Sequence, residues 1–290
     1  MINGIIVKGI GGFYYVKTDD GRIATCRARG KFRKLNITPM VGDKVEIKVV
    51  NENPFEGAIE NVLERKNHLI RPPVANIDCI AVVIAAANPA PDLFLIDKLT
   101  VYAAKNNIEV VIIINKTDLS NAKYIVDIYN KCGYNTVLTC ATSGEGVDAL
   151  REKIAGKITA FAGNSGVGKS SILTNFGLSV ETGDVSKINR GKHTTRHVEL
   201  FDIGDGGFVI DTPGFSLLEI SDISASELKD CFVEFKEFEG DCKFSGCNHF
   251  GTKANACGIV KAVNDGNIPK TRYESYTKLY DVLKEIKDYD

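Results

Sequence analysis

The sequence has no apolar stretch long enough to cross a bilayer. Its longest run, IDCIAVVIAAANPAP, is shorter than a transmembrane helix and is broken by proline. The first residues, MINGIIVKGIGGFYYV, lack the basic end and the small-residue cleavage site of a signal peptide. We therefore expect a soluble, cytoplasmic protein without a membrane partner.

A large net charge and a dense set of cysteines are also missing. The formal net charge is −1, which excludes a polycation held to nucleic acid by bulk charge, so any such contact needs a local basic patch. The 8 cysteines are spread over 290 residues, too thinly for the disulfide framework of a small secreted domain. Three of them cluster with a histidine, which favours reduced thiols and one metal site.

Residues 1–65 have the pattern of a strand-rich domain. Short runs of β-forming residues, such as GFYYVKT and DKVEIKVV, alternate with glycine turns, which predicts a small β-barrel such as the OB-fold. Residues 22–34 contain several basic residues and no acidic one, with Phe32 as a candidate stacking ring. A solvated basic loop is the alternative interpretation. The predicted RNA-binding residues are Arg27, Arg29, Lys31, Arg33 and Lys34.

Residues 66–222 change to buried strands alternating with helices. The zone begins with KNHLIRPPVAN, whose two prolines and lack of periodicity predict a linker. Apolar runs such as VVIII and ITAFA then alternate with helical stretches. Asp92 is placed to cap a helix on which Ile96, Leu99 and Ala103 share a face. This pattern predicts an α/β domain, with a mostly parallel sheet covered on both sides by helices.

A phosphate-binding loop is the strongest motif of the chain. GNSGVGKSS matches G-x-x-x-x-G-K-[ST] and lies between a predicted strand, ITAFA, and a predicted helix, SILTNF. Its glycines let backbone N–H groups turn toward phosphates, Lys169 reaches the β- and γ-phosphates, and the Ser170 hydroxyl is a predicted magnesium ligand. The predicted nucleotide-binding residues of this loop are Gly163, Asn164, Ser165, Gly166, Val167, Gly168, Lys169, Ser170 and Ser171.

The tetrapeptide NKTD predicts which base is bound. It follows the apolar run EVVIII, so it lies at the carboxyl end of a parallel strand, where ligands of open α/β sheets bind. The Asp118 carboxylate can accept hydrogen bonds from the N1–H and amino group of guanine, donors that adenine does not offer there, which predicts GTP rather than ATP. A second loop, TCATSGEG, places the backbone near Ala141 against the guanine oxygen. The predicted base-binding residues are Asn115, Lys116, Thr117, Asp118, Cys140 and Ala141.

Two further motifs match the switches of a GTPase. DTPG follows the strand FVI, so Asp211 is a predicted member of the magnesium shell and the Gly214 N–H is predicted to meet the γ-phosphate. In the loop NRGKHTTRHVE, Thr195, or alternatively Thr194, is the predicted switch threonine on magnesium. Phe215 follows DTPG, so the water-positioning side chain of Ras-like enzymes is not available at this place.

Residues 223–290 are predicted to form a helical domain around a metal site. Cys242, Cys247, His249 and Cys257 supply three thiolates and one imidazole, a tetrahedral set for one structural zinc ion with no open position for catalysis. Cys231 is a rival ligand, and buried free cysteines are the alternative to a metal site. The last segment is predicted to be an amphipathic helix facing the core. Its apolar stripe is Tyr273, Tyr276, Tyr280, Leu283 and Ile286.

The motifs come in an unusual order, because the base-reading motif precedes the phosphate loop. This permuted set, the strand-rich N-terminal region and the Cys-x4-Cys-x-His-x7-Cys cluster together resemble the RsgA family of GTPases that depend on the small ribosomal subunit. The resemblance spans essentially the whole chain. It implies an OB-fold domain, a circularly permuted GTPase domain and a zinc-binding domain, acting on the small subunit and its rRNA late in assembly. It also implies that His193 is catalytic, with contact to RNA phosphates as the alternative role.

Three classes of function are compatible with these residues. The first is a GTPase stimulated by the small ribosomal subunit, and we expect a monomer that binds GTP and GDP. The second is a module that holds the nucleotide without useful turnover. The third is a signalling or transport GTPase with a protein or membrane partner, which is disfavoured because the sequence carries no lipidation motif or amphipathic membrane segment.

Overall fold

The structure, a computed structural model, describes residues 1–69, 72–178, 198–211 and 223–285. The strands are β1 (Ile2–Ile10), β2 (Phe13–Thr18), β3 (Ile23–Ala28), β4 (Lys44–Glu52), β5 (Phe55–Val62), β6 (His68–Leu69), β7 (Val74–Ala75), β8 (Cys79–Ala85), β9 (Glu109–Asn115), β10 (Asn135–Leu138), β11 (Ile158–Ala162), β12 (Phe201–Gly204) and β13 (Gly207–Asp211). The helices are α1 (Lys31–Lys34), α2 (Leu93–Lys105), α3 (Lys123–Lys131), α4 (Val147–Ile154), α5 (Lys169–Asn175), α6 (Gly258–Asn264) and α7 (Lys270–Glu285).

The chain folds into two compact units built from interleaved segments. The first unit comprises Met1–Cys79, Ile154–Phe161 and Phe176–Thr212. The second comprises Ile80–Lys153, Ala162–Asn175 and Pro213–Asp290. Within the described ranges, no helix is long and apolar enough to cross a membrane.

Strands β1 to β5 form the predicted barrel. They close in the order β1–β2–β3–β5–β4, with β4 returning to pair with β1. The β3–β5 pair is parallel and the other pairs are antiparallel. Alternate side chains, among them Val16 and Ile47, fill the interior, as period-2 patterning requires. The prediction for Phe32 was wrong: this ring is only 4% exposed, because α1 turns it into the core and leaves its basic neighbours outside.

The prediction of a linker is also wrong for the described part of KNHLIRPPVAN. This part of the chain is fixed to the barrel by backbone and side-chain hydrogen bonds. Strands β6 and β7 form a short antiparallel pair, and the Ala75 N–H donates to the Val41 carbonyl at 2.9 Å. The Asn76 amide donates to the Gly42 carbonyl at 2.9 Å. Gly42 has a φ of +89°, and a Cβ there would overlap the Ala75 carbonyl oxygen. The close approach of two backbones therefore requires glycine at this position.

The first unit also contains three strands from later in the chain, β11, β12 and β13. Strands β11 and β13 are parallel, and β12 pairs with β13 in the antiparallel sense. Just before β12, the Leu200 N–H donates to the Val7 carbonyl at 2.8 Å, and Lys8 forms an ion pair with Glu199 at 2.7 Å.

In the second unit, parallel strands alternate with helices as predicted. The strands lie in the order β10–β9–β8, and β9 and β10 are parallel. Every residue of β8 is buried, as expected for a strand covered on both faces. The Asp92 carboxylate caps α2 by accepting from the Leu95 N–H at 3.0 Å. Ile96, Leu99 and Ala103 are each fully buried, so the predicted face of α2 is confirmed.

The C-terminal segment, residues 223–285, combines short 3₁₀ turns with two α-helices. The 3₁₀ turns cover Leu228–Cys231, Val233–Glu237 and Glu239–Asp241. Phe232, Phe235 and Tyr276 form its aromatic centre, and residues of α2 complete the same core. Tyr276 and Leu283 are buried on α7, in agreement with the predicted stripe; Ile286 lies outside the described residues.

Candidate active site and metal cluster

The predicted phosphate loop is a tight turn between β11 and α5. Gly163, Gly166 and Gly168 all have positive φ angles, of 144°, 77° and 98°. A Cβ at Gly163 would overlap the Val83 carbonyl oxygen, and one at Gly168 would overlap the Asn115 amide. Gly163 and Gly168 are therefore required by the close approach of neighbouring atoms as well as by their φ angles.

Lys169 and Ser170 begin helix α5 directly after this loop. The Lys169 ammonium donates to the carbonyl oxygens of Gly163 and Asn164, at 2.8 and 2.9 Å. This side chain therefore folds back over the loop rather than extending into solvent. A positive charge and loop N–H groups beside one turn are the elements with which proteins bind phosphates.

Asn115 ties the base-reading motif to two other loops. Its side chain is 1% exposed, and its Nδ2 donates to the Val167 carbonyl of the phosphate loop at 2.9 Å. Its Oδ1 accepts from the Thr139 hydroxyl at 3.1 Å and from the Ala141 N–H at 3.0 Å. The three segments predicted to bind nucleotide are thus brought together, and Thr139, which the sequence analysis missed, is one of the residues that join them.

The other residues of NKTD lie around the same point. Asp118 is exposed, and its Oδ1 lies 3.3 Å from the Cys140 sulfur. Hydrogen bonds to Ser143 and Thr142 hold the pKa of the Cys140 thiol below its usual range. The Thr117 hydroxyl donates to the Thr139 carbonyl at 3.2 Å. An exposed carboxylate fixed at the end of a parallel strand is free to accept hydrogen bonds from a ligand.

The loop between β8 and α2 also approaches the site, and no motif pointed to it. The Lys116 ammonium donates to the carbonyl oxygen of Asn88, and the Asn164 amide lies 3.4 Å from the Asp92 carboxylate. Asp92 therefore has two roles, since one of its oxygens caps α2 and the other faces the phosphate loop.

The predicted switch residues are only partly covered. Asp211 is the last residue of β13, which agrees with its expected place at the carboxyl end of a strand. His193, Thr194, Thr195 and Gly214 lie outside the described residues.

The cysteine cluster of the C-terminal segment has the composition of a metal site. One donor atom from each of Cys242, Cys247, His249 and Cys257 lies within 4.8 Å of the others. The His249 Nδ1 faces the sulfurs of Cys242 and Cys257 at 3.5 and 3.4 Å. Three sulfurs and one imidazole nitrogen at such distances fit a tetrahedral zinc ion, so the residues could hold a metal. Cys231 is not among the residues whose donor atoms converge, and burial raises the pKa of its thiol to about 11.

Neighbouring residues fix the ligand loop. Tyr273 donates to the His249 carbonyl at 2.7 Å, Tyr276 donates to the Asn248 carbonyl, and the Phe235 ring lies edge-on to the imidazole. Burial, reinforced by Lys229, lowers the pKa of His249 to about 4. The imidazole is therefore neutral near pH 7, which is the state that ligates metals.

The predicted RNA-binding residues surround the end of β3 and helix α1. Three of them are engaged within the barrel. Arg29 pairs with Glu60 at 2.6 Å, the Arg27 guanidinium lies 4.4 Å from the centre of the Phe13 ring, and the Lys31 ammonium donates to the Asn61 side chain at 3.3 Å. Lys31, Arg33 and Lys34 are exposed on α1. All five residues are exposed on β3, on α1 or between them, and the stacking ring expected from Phe32 is absent from this exposed set.

Comparisons with known proteins agree with this arrangement. Residues 62–221 match the family model of the RsgA GTPase, and residues 3–59 match that of the RsgA N-terminal domain. Two similar proteins, each named small ribosomal subunit biogenesis GTPase RsgA, come from Caldanaerobacter subterraneus and Clostridium perfringens strain 13. The first is 47% identical and the alignment covers 99% of this chain and 96% of that protein. The second is 46% identical and the alignment covers 98% of both.

Solved structures give the same result. YjeQ from Thermotoga maritima superposes with a TM-score of 0.82 at 38% identity, covering 98% of both chains. YloQ, described as a circularly permuted GTPase, superposes with a TM-score of 0.81 at 35% identity, covering 98% of this chain and 96% of that one. The order of motifs found in the sequence, base before phosphate, is the order expected for such a permutation.

Proposed function

This chain belongs to the RsgA GTPase family and is a GTP-hydrolysing enzyme, and on that premise we propose that the small ribosomal subunit stimulates its hydrolysis of GTP late in assembly of that subunit. One observation carries the proposal: relatives named for small-subunit biogenesis align over 98–99% of the chain, so the match spans the barrel, the GTPase segments and the C-terminal segment together. We assign residues 1–65 to ribosome binding, 66–222 to the GTPase domain and 223–290 to the metal domain. A cytoplasmic monomer is the form in which we expect it to act.

In the proposed complex, the phosphate loop, Gly163 to Ser171, binds the phosphates, and Asn115 to Asp118 together with Cys140 and Ala141 bind guanine. The joining of these segments through Asn115 supports this assignment. Selectivity for guanine depends on Asp118: its carboxylate accepts two hydrogen bonds from guanine, and losing partners of a charged group costs about 1.5–3 kcal/mol. Gly214 contributes a backbone N–H to the γ-phosphate.

Ser170, Thr195 and Asp211 would hold a Mg²⁺ ion, which neutralises negative charge on the β- and γ-phosphates. The hydroxyl and carboxylate oxygens of these residues are hard ligands of the type that Mg²⁺ prefers. Thr194 is the alternative to Thr195. The four residues of the cysteine cluster would hold one structural zinc ion, and their convergence supports this role.

For catalysis we assign His193 the task of orienting or deprotonating the attacking water. The resemblance to the RsgA family implies this role. It is compatible with the sequence, because Phe215 occupies the place at which Ras-like enzymes carry a polar side chain, so another group must act on the water, and an imidazole can do so near pH 7. The exposed basic residues Arg27, Arg29, Lys31, Arg33 and Lys34 are assigned to rRNA phosphates.

Steady-state hydrolysis of GTP and ATP, with and without purified small ribosomal subunits, tests the proposal. We expect stimulation with GTP only, and a loss of about 100-fold or more of the stimulated rate in His193→Ala. His197→Ala, a change of the other histidine of the same loop, is the matched control. Co-sedimentation separates the two roles of His193: a variant that no longer binds subunits identifies an RNA contact, and one that binds without hydrolysing identifies the catalytic group. Absence of stimulation in the wild type would refute the proposal.

A further inference from the structure

Asn175 links the helix of the phosphate loop to the loop that is proposed to contact the base. We call residues 139–146 the base loop. Asn175 is the last residue of α5, and its side-chain Nδ2 donates to the Ala141 carbonyl at 2.8 Å. The same nitrogen donates to the Ser171 carbonyl one turn earlier, at 3.0 Å. One amide is thus held by its own helix and, through its second hydrogen, holds the base loop.

This contact completes the fixation of Ala141. The Ala141 N–H is directed toward the Asn115 side chain at 3.0 Å, while its carbonyl accepts from Asn175. Gly144, on the same loop, faces Asn175 closely enough that an added Cβ would lie 4.0 Å from its Oδ1. Both backbone groups of Ala141 therefore have a fixed side-chain partner, and the two partners come from different segments.

We infer that Asn175 is a positioning residue for guanine recognition: it sets the place of the base loop, whose backbone near Ala141 is proposed to meet the guanine oxygen, and couples that loop to the phosphate-loop helix. The inference rests on the proposed function, in which the backbone near Ala141 reads that oxygen. Its physical basis is that a donor held within a few tenths of an ångström contributes fully to affinity, whereas a mobile one must be ordered by the ligand.

The neighbouring Thr174 provides a matched control. It is exposed on the same turn of α5, and its hydroxyl donates to the Ser170 carbonyl at 2.9 Å, so it makes a helix contact like that of Asn175 without the contact to the base loop. Asn175→Asp keeps the size of the side chain and removes its donor; Asn175→Ala removes the side chain without introducing a charge.

The experiment measures dissociation constants of the full-length variants for GDP and for 6-thio-GDP, in which sulfur, a poor acceptor, replaces the guanine oxygen. We expect both Asn175 variants to bind GDP about 3- to 10-fold more weakly, the equivalent of one hydrogen bond. Binding of 6-thio-GDP should change by less than about twofold, because the contact that Asn175 supports is already lost. Thr174→Ala should leave both constants within about twofold.

Hydrolysis kinetics give a second readout, with KM for GTP raised and kcat unchanged, as expected for lost ground-state binding. If wild-type protein prefers GDP over 6-thio-GDP and the Asn175 variants keep the whole preference, the inference is overturned while the proposed base site stands. If the wild type itself shows no preference, the placement of the backbone near Ala141 against the guanine oxygen is wrong, and the inference falls with it.

Discussion

In the barrel each of the five strands pairs with two neighbours, whereas the C-terminal segment has only 3₁₀ turns and the helices α6 and α7 as regular structure. The barrel buries aliphatic side chains such as Ile6, Ile47 and Ile59 in a closed interior. The C-terminal segment instead buries a charged residue, Arg272, together with aromatic rings and the cysteine cluster. The stability of the C-terminal segment, which has no paired strands in its described residues, thus depends on individual side-chain contacts and, by our proposal, on a metal.

Arg272 shows how specific those contacts are. Its guanidinium is fully buried and pairs with Asp97 of α2 at 2.7 Å and with Glu234 at 2.7 Å. The Tyr129 hydroxyl donates to the same Asp97 oxygen at 2.8 Å. Because Asp97 belongs to α2, this ion triad fixes the C-terminal segment to the helix that follows β8. The barrel contains no comparable network of several buried charges in its described residues, and its buried carboxylate, Asp43, pairs with one partly exposed side chain, Arg65.

Metal removal should have the largest effect and should separate the two regions. We expect chelation to abolish hydrogen-exchange protection in residues 223–285 while strands β1 to β5 stay protected, because a cysteine-rich segment without its metal loses the bonds that hold its loops together. Mass spectrometry with exchange would measure both regions at once.

The matched variants for this experiment are Cys257→Ala and Cys26→Ala. Cys26 is a buried cysteine of the barrel and lies outside the cluster, so its variant should retain about one bound zinc per chain, while Cys257→Ala should lose it. If residues 223–285 stayed fully protected from hydrogen exchange after complete loss of the metal, the core shared with α2 would be sufficient to keep this segment folded.

Breaking the ion triad should have the next largest effect. Arg272→Met leaves Asp97 and Glu234 buried without a cation, and we expect a loss of about 3–5 kcal/mol in the free energy of unfolding. Lys270→Ala, on the same helix, removes an exposed pair with Glu274 at 3.5 Å and should cost no more than about 0.5 kcal/mol. Urea unfolding of both variants measures the difference; equal costs would mean that the triad contributes no more than a surface pair.

A glycine pair tests the barrel side of the comparison. Gly42→Ala combines a positive φ with overlap against the Ala75 carbonyl, whereas Gly11→Ala has a φ of +59° and no atom within 4 Å of the added Cβ. We expect about 1 kcal/mol for Gly11→Ala from backbone strain, and a larger loss for Gly42→Ala. Thermal unfolding compares the two variants. Similar losses would show that the β7 contact can shift without cost.

The sequence predicted those features that depend on local pattern. The barrel strands, the face of α2 and the place of the phosphate loop follow from periodicity and fixed motif spacing, and the structure agrees with each. The prediction of Phe32 as a stacking ring was wrong, because the basic residues around it do not determine the direction in which its side chain points. The supposed linker was wrong because proline content is a local signal, while Asn76 is fixed by a hydrogen bond to Gly42, far away in the chain.

By itself the sequence determined which chemical groups are available: glycines that permit a phosphate loop, an aspartate suited to guanine, and three cysteines with one histidine. Tertiary structure alone decided which of these groups meet. Asn115 joins three loops. Arg272 pairs with Asp97, 175 residues away in the chain, and Asn175 donates to Ala141, 34 residues away. No local pattern encodes such pairs, because they form only when packing brings distant segments within hydrogen-bond distance.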